Sequence, residues 1–151
     1  MSEFQTAEQI LDYAIAQEQN AVDLYTRMAD LTAGGPAKKM FEGFAAEERG
    51  HKARLEKIKA GHRELITREQ VQDLKLAEYL NDVELGENPS YQDVLIFAMK
   101  QEKLAFRLYH DLADRTADPE LRELFLALAQ EEAKHKLRFE VEYDEHVLTE
   151  N

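Results

Sequence analysis

The potential metal ligands of this chain form two sets of three residues, and one constant interval along the chain separates each member from its counterpart. They are Glu18, Glu48 and His51 in the first set, and Glu102, Glu132 and His135 in the second. Glutamate and histidine three residues apart share one face of a helix, so each Glu-x-x-His pair can bind one cation together. A duplicated set of four carboxylates and two imidazoles predicts a site for two divalent transition metals.

Each set also lies at one level of a predicted helical hairpin. The number of residues from Glu18 to the turn at Gly34 is about the same as the number from that turn to Glu48 or His51. The second set keeps the same intervals around Asp118. Antiparallel helices therefore bring the three side chains of each set together near mid-helix.

Capping and breaking residues mark the helices that must position these ligands. A capping box begins the first helix after Thr6 and Gly34-Gly35 ends it, while Gly61 follows the second helix. Ser90 caps the third helix, and Asp118-Pro119 begins a fourth that we expect to end near His146. We predict one all-α domain over residues 1–151, with an internal repeat of residues 7–60 and 91–144 and a crossover of residues 61–90.

The ligands lie within apolar stripes of helical spacing, which places them in a core. The stripes are Phe41, Phe44, Glu48, His51, Leu55 and Ile58, and Phe125, Leu128, Glu132, His135 and Phe139. In the crossover, Thr67 to Gln70 resembles a further helix start, followed by apolar residues from Val71 to Leu80. We expect an ordinary short surface helix there.

Composition limits the chemistry and the partners. The chain has no cysteine, which excludes disulfides, Cys-ligated zinc and iron–sulfur clusters. Its net charge of −12 argues against nucleic acid as a partner. We expect no membrane association, because no apolar run approaches the ~20 residues that span a bilayer. We expect no signal peptide in this sequence and therefore a cytoplasmic location.

Other repeated residues have weaker functional interpretations. Tyr25 and Tyr109 follow the first glutamate of each set by two helical turns, and they either donate hydrogen bonds to ligand carboxylates or pack as core side chains. Lys52 and Lys136 also repeat, and we expect them to pair with acids on the helix surface. Surface or structural roles are expected for His62, His110 and His146. Glu47 and Glu131 are expected to face solvent or to contact the ligands from behind, rather than to bind metal.

The duplicated pattern resembles the ferritin-like di-iron carboxylate superfamily, in which two helices give a Glu each and two give Glu-x-x-His. Within it, the chain is most similar to the rubrerythrin family. The resemblance implies a ferritin-like four-helix bundle of two antiparallel hairpins. It also implies iron at all six residues of the two sets, with Glu48 and Glu132 as the bridging ligands.

The same resemblance implies a non-haem di-iron oxidoreductase that reacts with hydrogen peroxide or O2, as a peroxidase or ferroxidase cycling between Fe²⁺ and Fe³⁺. Rubrerythrins proper carry a rubredoxin domain and a further carboxylate where this chain has Ala105. We therefore expect an external redox protein, such as a rubredoxin, to supply electrons. We also expect a homodimer.

Three other interpretations fit the residues. One is a dimanganese enzyme with catalase-like turnover, because oxygen and imidazole ligands also suit manganese. Another is a non-catalytic protein that binds or stores iron. The third is a helical bundle that binds no metal.

Overall fold

The computed structural model of the protein describes Phe4, residues 6–61 and residues 68–150. Its long helices are α1 (Ala7–Leu31), α2 (Pro36–Ala60), α4 (Tyr91–Arg115) and α5 (Pro119–Glu150). The crossover contains α3 (Arg68–Asp73) and a 3₁₀ helix (Leu76–Tyr79). The described residues contain no strand, so the predicted all-α class is confirmed.

The chain divides into two compact units, Phe4–Gln72 and the residues from Asp73 onward. In the first unit, α1 packs along α2, and we call this pair hairpin 1. In the second, α4 packs along α5 as hairpin 2. That both hairpins belong to one folding domain stays a prediction.

Hairpin 1 begins and turns where the sequence predicts. The Thr6 hydroxyl accepts the N–H of Gln9, whose side chain accepts the N–H of Thr6 in return. This capping box satisfies two N–H groups that the first turn of α1 cannot pair. The turn uses Gly34 and Gly35 with φ of 95° and 87°, a region that favours glycine. Pro36 then occupies the first position of α2.

Hairpin 2 reaches a similar geometry with different turn residues. Ser90 and Asp93 form the capping box of α4. The Asp118 carboxylate accepts the N–H of Glu120 at 2.9 Å, and Pro119 begins α5. No glycine is needed in this turn, because the aspartate cap and the proline start the helix together. α5 continues to Glu150, so the expected end near His146 is wrong by about one helical turn.

The C-terminal ends of α1 and α4 are capped identically. The hydroxyls of Thr32 and Thr116 donate to the carbonyls of Met28 and Leu112, each at 2.6 Å. Each threonine N–H also bonds back into its own helix. The interval between the two threonines equals the interval between the paired ligands, so the repeat extends to the helix ends.

The crossover is more than a surface linker, because it buries Val71, Leu74 and Tyr79. The helix expected there is present as α3, followed by the 3₁₀ helix. Thr67, where we expected that helix to start, lies outside the described residues. The apolar residues of the crossover help to form the core, which corrects the expectation of an ordinary surface helix.

Polar bonds tie the end of the crossover to α4. The Tyr79 hydroxyl donates to Asp111 at 2.7 Å, and Arg115 donates to Asp73 at 2.8 Å. Burial raises the pKa of the Tyr79 phenol, and the hydrogen bond to Asp111 raises it further. Among the described residues, no helix combines the length and apolarity needed to cross a membrane.

Candidate metal centre

The six predicted ligands are buried, each with at most 2 % of its surface exposed. They are Glu18 on α1, Glu48 and His51 on α2, Glu102 on α4, and Glu132 and His135 on α5. Fully buried acids are rare in proteins unless they are paired or bind a metal. Thr116 is the one other buried polar residue in the described part of the chain.

Hairpin 1 brings its three ligands into one cluster. His51 Nδ1 lies 3.6 Å from Glu18 Oε2 and 3.6 Å from Glu48 Oε1. One ligand atom from each of the three residues lies within 4.8 Å of the others. The distances of 3.6 Å are too long for hydrogen bonds, but they suit atoms that could surround a common cation. The predicted common level of Glu18, Glu48 and His51 is confirmed.

Hairpin 2 repeats the cluster. His135 Nδ1 lies 3.6 Å from Glu102 Oε1, and ligand atoms of Glu102, Glu132 and His135 lie within 4.8 Å of one another. The same helical intervals therefore give the same local arrangement in both hairpins. We call these groups cluster 1, in hairpin 1, and cluster 2, in hairpin 2.

Apolar residues enclose each cluster. On α2, Phe41 and Leu55 are fully buried, and on α5 Leu128 and Phe139 are fully buried. On the facing helices, Ala14 and Ala98 precede the first glutamates and are also buried. The stripe pattern of the sequence is confirmed, with Phe44 half-buried rather than buried. The surroundings exclude water from the donor atoms.

The donor set fits divalent metal ions. Each cluster offers two carboxylates and one imidazole, ligands that suit iron, manganese or zinc. Every Lys and Arg whose burial the structure describes is at least partly exposed, so none of these is buried beside the four glutamates. Burying an ion costs several kcal/mol even after relaxation, and a nearby ion of opposite charge offsets that cost. Two divalent cations would balance the charge of four ionised carboxylates.

A protein-family model described as Rubrerythrin matches residues 9–143. The chain belongs to the rubrerythrin family. Its fold is therefore of the all-α, ferritin-like four-helix-bundle class, as the sequence predicted. Comparison with curated proteins finds no match, and comparison with solved structures finds none.

Rubrerythrin-family membership suggests a di-iron protein with oxidoreductase chemistry. The two buried clusters are compatible with metal binding, which supports the same assignment. The family match spans all six predicted ligands, from Glu18 to His135. Their roles as ligands stay predictions.

Burial distinguishes the repeated tyrosines from Glu47, the acid that precedes Glu48 in the sequence. Tyr25 and Tyr109 are buried, and the ring centroids of Phe41 and Phe44 lie 6.3 and 6.2 Å from that of Tyr25. The ring of Tyr25 therefore packs against aromatic rings of α2, and the choice between the two roles predicted for Tyr25 and Tyr109 stays open. Glu47 is exposed, as expected.

The other histidines lie apart from the clusters. His110 is exposed beside Asp114, and His146 is half-buried with its ring 5.1 Å from that of Tyr91. These positions agree with surface or structural roles. His62 lies outside the described residues. Glu131, expected beside the ligands, is half-buried.

Sequence reasoning missed the bonds that tie α1 to α2 beside cluster 1. Lys52 donates to Gln19 at 2.7 Å, and Arg49 donates to Thr26 at 3.3 Å. The expectation that Lys52 pairs with an acid is therefore wrong, whereas Lys136 does bond Glu140. The signal was present in the sequence, because Gln19 and Lys52 directly follow the ligands Glu18 and His51.

Proposed function

We propose that this chain is a non-haem di-iron oxidoreductase that reduces hydrogen peroxide with electrons from an external redox protein. By the pattern of its family, the residues of clusters 1 and 2 would hold two irons, with Glu48 and Glu132 in the bridging role. The ligands, the metal and the reaction proposed for this chain go beyond what family membership shows.

The donor set is the observation that carries the proposal. Four glutamates and two histidines are buried in two matching clusters, whereas every Lys and Arg whose burial the structure describes is at least partly exposed. A structural role alone gives no reason to bury two acids twice in the same arrangement. Metal ions supply that reason, because they offset the lost hydration of the carboxylates and bring positive charge beside them.

The protein's own residues have three tasks in this reaction. The carboxylates hold two cations at a near-neutral total charge in the reduced state. The imidazoles of His51 and His135 each give one neutral nitrogen ligand. The apolar residues around each cluster keep bulk water away, which protects a reactive centre from side reactions.

When bound, two ferrous ions supply one electron each, which with two protons reduces one hydrogen peroxide to two waters. The redox protein then returns two electrons. The chain has no cysteine and so no cysteine-bound redox centre of its own. Ala21 and Ala105, about one helical turn after Glu18 and Glu102, are partly exposed, and side chains this small would obstruct a small oxidant little.

Anaerobic loading of the apoprotein with Fe²⁺, followed by stopped-flow mixing with hydrogen peroxide or with O2, tests the proposal. We expect two irons per chain and faster oxidation by peroxide than by O2. Steady turnover should need an added rubredoxin and its reductase, with little turnover on NADH alone.

The other outcomes separate the rival functions. Oxidation by O2 alone with accumulation of ferric iron would favour a ferroxidase or storage protein. Oxygen release from peroxide by manganese-loaded protein would favour catalase-like activity. A reduced protein that reacts with neither oxidant would contradict the enzyme proposal, and a protein that binds no metal would contradict all three.

A further inference from the structure

A groove of about 460 Å³ opens between α4 and α5 on hairpin 2. Phe106, Ala133 and Leu137 give it an apolar lining, and basic side chains from both helices border it. Leu137 is 61 % exposed and Phe106 is half-buried, so both can contact another molecule. An apolar centre with a polar border is the composition that protein interfaces share.

The groove lies next to cluster 2 along both helices. Three of the residues that line it, Lys103, Ala133 and Lys136, each directly follow one of the three predicted ligands of cluster 2 in the sequence. One peptide unit therefore separates the backbone of each predicted ligand from a residue of the groove. Because electron transfer slows steeply with distance, an electron delivered here would have a short path to a metal held by cluster 2.

Two of the basic residues that border the groove, Lys103 and Arg107, continue a row that begins at Lys100 on α4. Spacings of three and four residues place the row on one side of the helix. We call these three residues the basic row. Hairpin 2 carries three positive charges there, whereas hairpin 1 carries none at the equivalent positions, which are Ala16, Gln19 and Asp23.

The side chains beside cluster 1 are already bonded within the protein. Lys52 donates to Gln19 and Arg49 donates to Thr26, so polar bonds join α1 to α2 there. In the part of the chain that the structure describes, Lys103 forms no hydrogen bond or ion pair. The surface beside cluster 2 therefore keeps a cation available for another molecule.

The other two members of the basic row have partners on the crossover that an incoming carboxylate can replace. Lys100 lies 3.7 Å from Asp82, and Arg107 lies 3.7 Å from Glu78. Both acids are exposed, at 82 % and 55 %. Ion pairs at such surfaces contribute about 0–1 kcal/mol, so exchanging them costs little.

We propose that the groove and the basic row dock an acidic electron-transfer protein, which delivers electrons to metal at cluster 2. This inference rests on the proposed function and names the surface and the charge of its redox partner. Each encounter transfers one electron and releases the donor oxidised. Two encounters therefore return the two electrons that one hydrogen peroxide removes.

Charge gives this partner a single place to bind. The chain has a net charge of −12, so it repels an acidic protein over most of its surface. A local row of cations attracts the same protein and orients it during the encounter. Transient redox encounters use small interfaces, below about 1,200 Å² in total, so one groove with its border is enough.

The dependence of electron delivery on salt is the first test. Stopped-flow mixing measures the rate constant for reduction of the oxidised, iron-loaded protein by a reduced rubredoxin of net negative charge. We expect the rate constant to fall as ionic strength rises, because salt screens the attraction of the basic row. An acidic donor that reacted elsewhere on this chain would be repelled, and salt would then raise the rate constant.

A double substitution is the second test. Lys103→Gln with Arg107→Asp gives α4 the residues of hairpin 1, and the rate constant at low salt should fall by about tenfold. The matched control is Lys39→Gln with Arg27→Asp, which makes the same charge change at exposed positions of hairpin 1 and should keep the wild-type rate constant. Dithionite, a small reductant that needs no docking surface, should reduce all three proteins at the same rate.

Cross-linking is the third test, and it requires no metal. A carbodiimide joins lysine amines to carboxylates of oxidised rubredoxin, and mass spectrometry identifies the lysines joined. We expect cross-links at Lys100, Lys103 and Lys136, with few at Lys39 and Lys57 of hairpin 1. A chain that binds no iron would contradict the proposed function, while this map still decides where an acidic protein docks.

Three results would overturn the inference. One is a rate constant that rises with ionic strength. Another is a double variant of α4 that loses no more activity with rubredoxin than its control in hairpin 1. The third is a cross-linking map spread evenly over both hairpins, or one that joins the groove to a second copy of the chain and not to the donor.

Discussion

Hairpin 1 and hairpin 2 hold equivalent clusters of predicted ligands, but their surfaces beside those clusters are different. In hairpin 1, Lys52 bonds Gln19 and Arg49 bonds Thr26, so α1 and α2 are joined next to cluster 1. In hairpin 2, the residues equivalent to Gln19 and Lys52 are Lys103 and Lys136. Two cations cannot form the same bond, and Lys136 turns instead to Glu140 on its own helix.

The second bond is also absent from hairpin 2, because Ala133 and His110 replace Arg49 and Thr26. The groove between α4 and α5 is lined by three of these four residues, Lys103, Ala133 and Lys136. The comparison teaches that the six predicted ligands and most of the buried positions keep their residue types across the repeat, while positions that face solvent differ. A ligand cluster fixes one residue on one helix and two on the other, and it leaves the opposite side of each helix free to change.

The largest effect should follow from removing one bridging glutamate. Glu48→Ala and Glu132→Ala should each reduce bound iron from two per chain to one or fewer, because each removes a ligand shared by both ions. Elemental analysis after anaerobic loading measures this. If the hairpins contribute equally, the two variants should lose metal to the same extent.

The matched control is Glu47→Ala, which removes an exposed acid next to Glu48 in the sequence. It should keep two irons per chain. If Glu47→Ala loses as much metal as Glu48→Ala, then the side of α2 that carries Glu48 is not the side that faces the metal.

Metal removal should destabilise the folded chain. At free metal of about 100 times the dissociation constant, the free energy of unfolding should rise by about 2.7 kcal/mol over the apoprotein. For a chain of this size, that corresponds to a rise in Tm of roughly 5–10 °C. Calorimetry with and without Fe²⁺ under anaerobic conditions measures it. An unchanged Tm at saturating metal would contradict metal binding by the buried acids.

Substitutions at two glycines should change the free energy of unfolding by intermediate amounts and in opposite directions. Gly35→Ala should lower the free energy of unfolding by about 1–3 kcal/mol, because φ of 87° strains any residue with a Cβ. The control is Gly43→Ala on α2, where an added Cβ meets no atom within 4 Å. It should instead stabilise the helix by about 0.5–1 kcal/mol. Urea titrations of both variants measure these changes. A Gly35→Ala variant with the stability of the wild type would refute the strain argument.

The smallest effect concerns the surface bonds themselves. Lys103→Gln gives hairpin 2 the Gln–Lys pair of hairpin 1, and it should stabilise the protein by about 0.5–1.5 kcal/mol. Gln19→Lys makes the reverse change and should destabilise by a similar amount. Chemical denaturation of the two variants and of their double variant checks both signs. If both substitutions shift stability in the same direction, hydrogen bonding between the helices does not explain the difference between the hairpins.

The sequence predicted the helices and clusters well because both depend on local rules. Capping boxes at Thr6 and Ser90 and the prolines Pro36 and Pro119 fix helix starts through the neighbouring backbone, and the structure agrees with them. The clusters follow from helical intervals alone, once a hairpin turn is placed.

The features that the sequence did not predict depend on weaker local signals or on contacts between distant residues. α5 passes His146 because its end carries no stop residue that local rules recognise. The burial of Val71 and Leu74 reflects packing of the crossover, which periodicity in so short a segment does not show. The partner of Lys52 was missed because an acid was assumed, whereas the amide of Gln19 on the facing helix lies within reach.

The Gly34–Gly35 turn also has a consequence for the order in which the protein is made. It joins two helices whose mutual contacts all fall within residues 7–60, so hairpin 1 has low contact order and belongs to the class that folds quickly. During synthesis, hairpin 1 is complete before α4 and α5 emerge from the ribosome. If hairpin 1 folds at that stage, the three residues Glu18, Glu48 and His51 come together on the nascent chain before their counterparts exist.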